Sequence, residues 1–248
     1  MNADLDRLRR VWSELGREDP FWAILSHPLK RGNRWRNEEF FATGKLEIDT
    51  QMGALAAIDL PQARQLALDF GCGAGRLTRA LASHFTRVLG VDVAPAMIET
   101  ARSLNRDLDN VEFRENALPS LDGIADSSVD LVYSCMTLQH MPSELAEGYI
   151  AEFLRVLSPG GVAAFQFVSG ADASVRGRLF ARASNRWLNP LRRVIWRRAT
   201  VFEMHALPET RVSRLLLNRP DLRVVSTHED RAAGPGWEGR RWIIARDG

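Results

Sequence analysis

The chain has 248 residues, of which 45% are apolar, and its formal net charge is +2. This length allows one large α/β domain or two small ones, and the near-neutral charge excludes a general electrostatic attraction for nucleic acid. No apolar run approaches the roughly 20 residues that a membrane-spanning helix needs. The first residues lack a signal-peptide pattern, and Cys72 and Cys135 form neither a disulfide framework nor a spaced metal site, so we expect a cytoplasmic location and no metal.

The first 60 residues have a mostly helical pattern that is interrupted at Asp19-Pro20 and at Ser26-His27-Pro28. This stretch is rich in aromatic residues: Trp12, Phe21, Trp22, Trp35, Phe40 and Phe41. Aromatic side chains most often fill a hydrophobic core, but they also close over bound ligands, and the sequence leaves both alternatives open. We predict a helical N-terminal cap over residues 1–60.

From residue 66 onward, apolar segments alternate with helical ones. The predicted strands are Leu66–Phe70, Val88–Val91, Val111–Phe113, Val129–Tyr133, Val162–Val168, Leu222–Ser226 and Trp242–Ala245. The predicted helices are Arg76–His84, Pro95–Asn105, Ser143–Leu157 and Pro208–Asn218. This alternation predicts an α/β fold with a mostly parallel sheet that carries helices on both faces. No helical pattern separates the last two strands, and Gly234-Pro235-Gly236 between them predicts an antiparallel return.

The segment "LALDFGCGAGRLT", residues 66–78, places three glycines between the first strand and its helix. A strand, a glycine turn and a helix in this order put backbone N–H groups at the carboxyl edge of the sheet, where open α/β sheets bind ligands. The spacing is Gly71-x-Gly73-x-Gly75. The dinucleotide-binding fingerprint needs its third glycine at position 76, where this chain has Arg76. A nicotinamide-dependent oxidoreductase is therefore a disfavoured alternative.

The second predicted strand ends in a carboxylate, Asp92, 17 positions after Gly75. A carboxylate at the end of the second strand of such a sheet accepts hydrogen bonds from the hydroxyl groups of a ribose. The glycine turn and Asp92 together predict a ligand that contains a ribose.

Four segments, in order, resemble the class I S-adenosylmethionine-dependent methyltransferases of the small-molecule branch. They are "LALDFGCGAGRLT", "VLGVDVAPAMIETAR", "VEFRENALPSL" and "SSVDLVYSCMTLQHMPS…FLRVLSPGGVAAFQF", within residues 60–170. The resemblance implies a Rossmann-like, seven-stranded, mostly parallel sheet with an antiparallel last strand. It also implies S-adenosylmethionine as cofactor and methyl transfer by in-line displacement. A cofactor-binding module without turnover is the alternative from another functional class.

The resemblance implies a role for each position that matches the family's motifs. The backbone of Gly71 and Gly73 lies along the cofactor's aminocarboxypropyl arm, Asp69 orients its ammonium group, and Asp92 holds the ribose. Asn116 stands where the family often has an acid near the adenine amino group, which its carbonyl oxygen can still bind. The full set of implied cofactor-binding residues is Asp69, Gly71, Cys72, Gly73, Gly75, Asp92, Val93, Met97, Asn116, Ala117, Ser134 and Cys135.

The acceptor is less well defined by the sequence than the cofactor. His140, His205 and Glu203 are the candidate general bases for an acceptor with a hydroxyl group, and the two histidines are the candidate catalytic residues. Ser134-Cys-Met-Thr137 replaces the Asn-Pro-Pro-Tyr-like motif of enzymes that methylate nucleic-acid or glutamine nitrogens, so no nucleic-acid partner is expected. We predict a small-molecule or glycan-like acceptor, with oxygen preferred over nitrogen or carbon.

Residues 174–199 contain eight arginines and no acid, interleaved with apolar residues. Three interpretations remain open: a helical insert that packs on the core, a lid whose arginines bind an anionic acceptor, or a peripheral contact with an anionic membrane surface. In the resulting scheme one domain comprises the cap, a cofactor-binding core at 61–170, this insert at 171–207, and a C-terminal helix and strands at 208–248. The sequence does not indicate an oligomeric state.

Overall fold

The computed structural model describes residues 2–175, 177–178 and 203–248. Within these residues one sheet contains the strands β1 (Leu66–Phe70), β2 (Arg87–Asp92), β3 (Val111–Glu115), β4 (Val129–Ser134), β5 (Leu157–Ala171), β6 (Leu222–Glu229) and β7 (Trp237–Arg246). Their order across the sheet is β3-β2-β1-β4-β5-β7-β6. The first five strands pair in parallel, and β7 runs antiparallel between β5 and β6. The predicted Rossmann-like sheet with an antiparallel return is confirmed.

The helices of the described residues are α1 (Ala3–Glu18), α2 (Pro20–Ile24), α3 (Asn37–Ala56), α4 (Arg76–Leu81), α5 (Pro95–Leu104), α6 (Ser143–Val156) and α7 (Glu209–Leu215). The Asn2 side chain caps α1 by accepting hydrogen bonds from the next turn, and Pro95 opens α5, where a missing N–H costs nothing. Every predicted helix is present, and the first 60 residues are helical as predicted. The main differences are at the ends: α4 stops at Leu81, and β5 begins as soon as α6 ends.

Two apolar clusters cover the two faces of the sheet. On one face, Tyr149 and Phe153 of α6 pack with Phe70 of β1, and Leu5 of α1 joins the same cluster. On the other face, α3 and α4 pack with Tyr133 of β4 and with β5. The helices α1 and α3 of the N-terminal cap therefore approach the carboxyl edge of the sheet from opposite faces.

The predicted helical insert, residues 171–207, falls largely outside the described residues, because 179–202 are not among them. Its described beginning continues β5 to Ala171, and its described end, residues 203–207, lies beside β5. There the backbone N–H of Leu207 donates to the carbonyl of Val168 at 2.8 Å. In the described part of the chain no helix has both the length and the apolar character to cross a membrane.

Candidate functional site

A cavity of about 1290 Å³ opens at the carboxyl ends of β1, β2 and β4. One side, here called the strand wall, includes Phe70, Gly71, Gly73, Val91, Asp92, Val93, Met97, Asn116, Cys135, Met136 and Thr137. The other side, the cap wall, includes Leu5, Leu8, Trp12, Trp22, Ile24, Leu25, His27, Arg31, Trp35, Thr43, Glu47, Pro235 and Trp237. Pockets for one drug-sized ligand have about 300–1,000 Å³, so this cavity has room for more than one small molecule.

The glycine turn lines the cavity with bare main chain. Gly71 and Gly73 have φ angles of +77° and +52°, a region that side-chain-bearing residues rarely adopt. A Cβ at position 71 would lie 2.2 Å from the Thr137 side chain, and one at position 73 would lie 2.6 Å from Cδ1 of Ile24. Both positions therefore require glycine, and the backbone there is open to close approach by a ligand.

Asp92 ends β2 on the strand wall, with its carboxylate fixed by the backbone. Its Oδ2 accepts a hydrogen bond from the Gly73 N–H at 3.0 Å, and its Oδ1 accepts one from the Ala94 N–H at 2.9 Å. Burial raises the pKa of Asp92 above its ordinary value, and these backbone hydrogen bonds oppose the shift. Because a carboxylate has about four acceptor positions, two remain for the adjacent hydroxyl groups of a ribose.

Asn116, just beyond β3, is oriented by its own amide group. Its Nδ2 donates to the carbonyl oxygens of Ser120, at 3.1 Å, and Leu118, at 3.3 Å. Among the described residues none donates to its Oδ1, which leaves that oxygen as the acceptor on the wall. With apolar Val93 and Met97 beside it, this part of the cavity suits a purine ring that carries an amino group.

Some of the predicted cofactor residues do not line the cavity: Asp69, Cys72, Gly75, Ala117 and Ser134. Asp69 is buried and accepts a hydrogen bond from the Thr78 hydroxyl at 2.6 Å. Burial raises its pKa to about 6, although the hydrogen bond from Thr78 opposes this shift. Cys72 packs in a small cluster with Ile98 and Phe113 on the outer side of the turn. The contacts show these two side chains supporting the turn and α4, and their contact with a cofactor stays a prediction.

A chain of hydrogen bonds leads from the strand wall to His140. The Met136 N–H donates to Oε1 of Gln166 at 2.9 Å, and Nε2 of Gln166 donates to Oε1 of Gln139 at 3.2 Å. Nε2 of Gln139 lies 3.3 Å from Nε2 of His140, and Nδ1 of His140 lies 2.9 Å from the Glu203 carbonyl oxygen. This series of hydrogen bonds holds Met136, whose φ is +57°, on the strand wall between Cys135 and Thr137, which also line the cavity.

The ends of this chain fix its direction. A backbone N–H at Met136 only donates and a backbone carbonyl at Glu203 only accepts, so each amide between them has one orientation. His140 therefore carries its proton on Nδ1, and its Nε2 accepts from Gln139. Burial lowers the pKa of His140 to about 4, although the bond to the Glu203 carbonyl opposes this shift. His140 lines the cavity as a neutral ring.

His205 lies next to this chain but outside the cavity. Its backbone N–H donates to the Gln139 carbonyl at 2.8 Å, and its Nε2 lies 3.3 Å from Oε2 of Glu203. Burial lowers its pKa, and Glu203 opposes the shift. The structure thus brings the two candidate bases near each other but places only His140 on the cavity wall.

A buried ionic cluster behind the cap wall was not found by sequence reasoning. The Glu47 carboxylate of α3 accepts hydrogen bonds from the Tyr133 hydroxyl at 2.9 Å, from Arg241 at 3.1 Å and from Arg76 at 3.2 Å. Arg241 also donates to the Tyr133 hydroxyl and pairs with Asp230 at 2.6 Å. Burial opposes ionisation of Glu47, but the two arginines outweigh it and hold its pKa below the ordinary value.

A sequence signal for this cluster exists but is faint. Gln166 is a polar residue in the middle of the apolar run of β5, and the register of β5 and β7 pairs it directly with Arg241. A buried polar residue in an apolar strand indicates a partner elsewhere, since unpartnered burial is costly. The sequence alone does not identify that partner.

The N-terminal aromatics divide between the two alternatives that the sequence left open. Phe40 is fully buried and stacks on Phe21 with ring centroids 4.0 Å apart. Trp22 and Trp35 line the cavity, each held by a hydrogen bond from its indole N–H to a backbone carbonyl. The guanidinium of Arg31 lies 5.5 Å from the Trp22 ring centroid, and the Lys30 ammonium lies 5.4 Å from that of Trp35. This part of the cap wall therefore combines indole faces with cations.

Comparison with known proteins agrees with this geometry. Residues 67–161 match the family model described as a methyltransferase domain. Trans-aconitate 2-methyltransferase of Variovorax paradoxus is 31% identical over 140 residues, which cover 55% of this chain and 51% of that protein. Ubiquinone biosynthesis O-methyltransferase of Xanthomonas campestris pv. campestris is 35% identical over 108 residues, 43% of each chain. The chain thus matches about half the length of these curated relatives.

Among solved structures, magnesium protoporphyrin IX methyltransferase of Synechocystis PCC 6803 with bound SAH aligns with 98% of this chain and 100% of that one. The TM-score is 0.65 at 16% sequence identity, which is a likeness of fold. The matched segment contains the glycine turn, Asp92 and Asn116 on the strand wall. Residues 67–161 therefore match a methyltransferase domain, and the fold is like that of a methyltransferase solved with SAH bound.

Proposed function

We propose that this chain transfers a methyl group from S-adenosylmethionine to an oxygen atom of a small-molecule acceptor. One observation carries the proposal: the bare main chain of Gly71 and Gly73 and the fixed carboxylate of Asp92 lie on the same wall of one cavity. A nucleoside with an amino-acid arm needs this combination of a close-approach surface and a ribose acceptor. The cavity volume beyond such a ligand provides the place for the acceptor.

In the proposed reaction the protein binds, orients and excludes water. S-adenosylmethionine supplies an activated methyl group on a good leaving group. Asp92 holds the ribose, Oδ1 of Asn116 accepts from the adenine amino group, and the turn at 71–73 lies along the amino-acid arm. Trp12 and Trp22 of the cap wall keep water from the reacting atoms. Alignment of the two reactants and exclusion of water supply most of what this displacement needs.

The relatives support a small-molecule acceptor. The names trans-aconitate 2-methyltransferase, ubiquinone biosynthesis O-methyltransferase and magnesium protoporphyrin IX methyltransferase each refer to a small molecule. One of these names specifies transfer to oxygen, in line with the preference for oxygen from the sequence. The acceptor of this chain occupies the part of the cavity that the cap wall encloses.

The oxidoreductase alternative is disfavoured by the packing at Arg76. α3 lies so close to the first residue of α4 that a Cβ at Gly44 would be 2.4 Å from the Arg76 carbonyl oxygen. The Arg76 side chain is bound to Thr43 and Glu47 of the same helix. The start of α4, where a dinucleotide places its pyrophosphate, is thus covered by α3.

Calorimetry with S-adenosylmethionine, S-adenosylhomocysteine and NADH tests the proposal. We expect the first two to bind and NADH not to. Asp92→Ala removes two hydrogen bonds to a charged acceptor and should weaken cofactor binding about 100-fold, whereas Glu112→Ala on the outer strand β3 should have no effect. Asp92→Asn keeps an acceptor for the Gly73 N–H and separates ribose binding from support of the turn.

Two results count against the proposal. Preferential binding of NADH would favour the oxidoreductase. Binding of S-adenosylmethionine without formation of S-adenosylhomocysteine, with every acceptor offered, would favour the module without turnover.

A further inference from the structure

We infer that the acceptor atom is a carboxylate oxygen, already ionised when it enters the cavity. This inference rests on the proposed function and adds the chemical class of the acceptor. It follows from the cavity wall, which in the described residues offers no group placed to take a proton from a hydroxyl, the other oxygen acceptor of the proposed function.

His140 is the obvious base, and its hydrogen bonds exclude that role. Its Nε2 lone pair already accepts from Gln139 at 3.3 Å, and its Nδ1 is committed to the Glu203 carbonyl at 2.9 Å. A proton on Nε2 would face the Gln139 amide donor. Rotation of Gln139 and then of Gln166 would move the conflict to the Met136 N–H, which has no alternative polarity. Protonation of His140 therefore breaks the whole chain.

The charged groups around His140 do not reverse this conclusion. His205 and Glu203 face it from segment 203–207, and Arg7 of α1 pairs with Glu203 at 3.0 Å. Trp12 of α1 lies edge-on to the ring at 5.0 Å between centroids. Among the described residues, the carboxylate that would favour a cationic ring is thus paired with an arginine, and the aromatic ring of Trp12 carries no charge.

The other ionisable side chains on the wall are also committed. Glu47 is bound by Arg76, Arg241 and Tyr133, so its carboxylate is a weak base, and Asp92 is the ribose acceptor of the proposed function. Tyr149 donates to the Leu118 carbonyl at 2.6 Å, and Cys135 is a buried thiol. Burial raises the pKa of both, so neither ionises to become a base near neutral pH.

Two further possible sources of a base are His27 and the residues outside the described part of the chain. His27 lies on the cap wall but is exposed, with its ring edge-on to Trp35, and the variant His27→Gln tests whether it acts as a base. Residues 179–202, outside the described part, contain no histidine, aspartate, glutamate, lysine, tyrosine or cysteine. Their composition therefore brings no base to the cavity wherever they lie.

A carboxylate needs no base. One of its oxygens forms the new O–C bond while the S–C bond of the methyl donor breaks, and the bonding electron pair goes to the sulfur. The products are a neutral methyl ester and a neutral thioether, and no proton is transferred. Arg31, the cation of the cap wall near Trp22, suits an anionic acceptor, and the indole faces suit an apolar body attached to it.

The experiment uses the alkali lability of esters. The full-length protein is incubated with S-adenosylmethionine labelled in the methyl group and with a panel of carboxylic acids, phenols, alcohols and amines together with a metabolite extract. The products are then treated with mild alkali, which releases methanol from methyl esters but not from ethers, N-methyl or C-methyl groups. We expect the label to appear as volatile methanol. Alkali-stable label overturns this inference alone, and no incorporation overturns the proposed function together with it.

The pH dependence and two variants give an independent readout. With the acceptor found, the pH profile of kcat/KM should be flat within about twofold from pH 6 to 9 in the wild type, in His140→Gln and in His27→Gln, whatever the absolute rates of the two variants, since both residues line the cavity. A general base contributes about 10²–10⁴-fold to the rate. A loss of kcat/KM of this size in either variant, together with a wild-type kcat/KM that changes tenfold per pH unit, would overturn the inference. Nitrogen NMR of the protein without ligands should show His140 protonated on Nδ1 alone at pH 7, and protonation on Nε2 would contradict the argument.

Discussion

The strand wall and the cap wall enclose the same cavity but are built in different ways. The strand wall uses main chain and residues that lie within a few positions of a strand end, such as Gly73 and Asp92. The cap wall depends on side chains that come from both ends of the chain, with Glu47 and Arg241 separated by 194 positions. A local motif therefore specifies the strand wall, while the cap wall depends on contacts between segments that are distant in the chain. The two walls should respond differently to substitution.

The largest expected effect is in the ionic cluster behind the cap wall. Arg241→Leu leaves the Glu47 and Asp230 carboxylates without their shared partner, and breaking a buried pair in this way costs about 3–5 kcal/mol of unfolding free energy. Urea unfolding measures this loss. The exposed pair of Arg223 with Asp247 provides the control, since Arg223→Leu should cost less than about 1 kcal/mol.

The comparison predicts a second property of Arg241→Leu. Cofactor affinity, measured per folded molecule, should stay within about threefold of the wild type, because neither Asp92 nor the glycine turn contacts Arg241. A collapse of cofactor affinity in the folded variant would show that the two walls are one unit.

This difference explains what the sequence predicts and what it does not. The strands, the glycine turn and Asp92 follow from alternation and spacing over short distances, and the structure places Gly71, Gly73 and Asp92 on one wall as expected. The partners of Gln166 and Glu47 follow from strand register and helix packing between distant segments, which no local pattern encodes.

His205 and Asp69 illustrate a second limit of sequence reasoning. Each has a residue type and a position suited to a role in the site, yet burial and hydrogen bonding leave both side chains outside the cavity. Whether a polar side chain faces a ligand or supports a turn depends on rotamer and neighbours, which the sequence leaves undetermined.

An intermediate effect is expected from the hydrogen-bond chain that leads from Met136 on the strand wall to His140. His140 has a pKa of about 4 in the folded protein and an ordinary value of 6.5, so the unfolded state takes up the proton first as pH falls. The stability that the neutral ring contributes is fully present above pH 6.5 and is lost as pH falls toward 4, by about 3 kcal/mol in total.

His140→Gln tests this pH dependence, since a glutamine does not titrate. The difference in unfolding free energy between wild type and variant should shrink by about 3 kcal/mol between pH 7.5 and pH 4. Urea unfolding at both pH values measures it. A difference that is independent of pH would mean that the ring is already charged in the fold, and it would remove the support for the direction of the hydrogen-bond chain.

The smallest expected effect is at the point where the two walls meet. Gly73 has a φ of +52°, and a Cβ there would lie 2.6 Å from Cδ1 of Ile24 on the cap wall. Gly73→Ala should therefore cost about 1–2 kcal/mol of unfolding free energy, partly from backbone strain and partly from the clash. The double variant Gly73→Ala with Ile24→Ala removes the clash and leaves the strain. If the walls contribute separately here, Gly73→Ala should cost less stability in the Ile24→Ala background than in the wild type. Cofactor affinity should stay reduced in the double variant, because the methyl group introduced at position 73 still covers the main chain. Full recovery of affinity in the double variant would instead assign the effect to Ile24 and show that the cap, rather than the glycine turn, limits the approach of the cofactor.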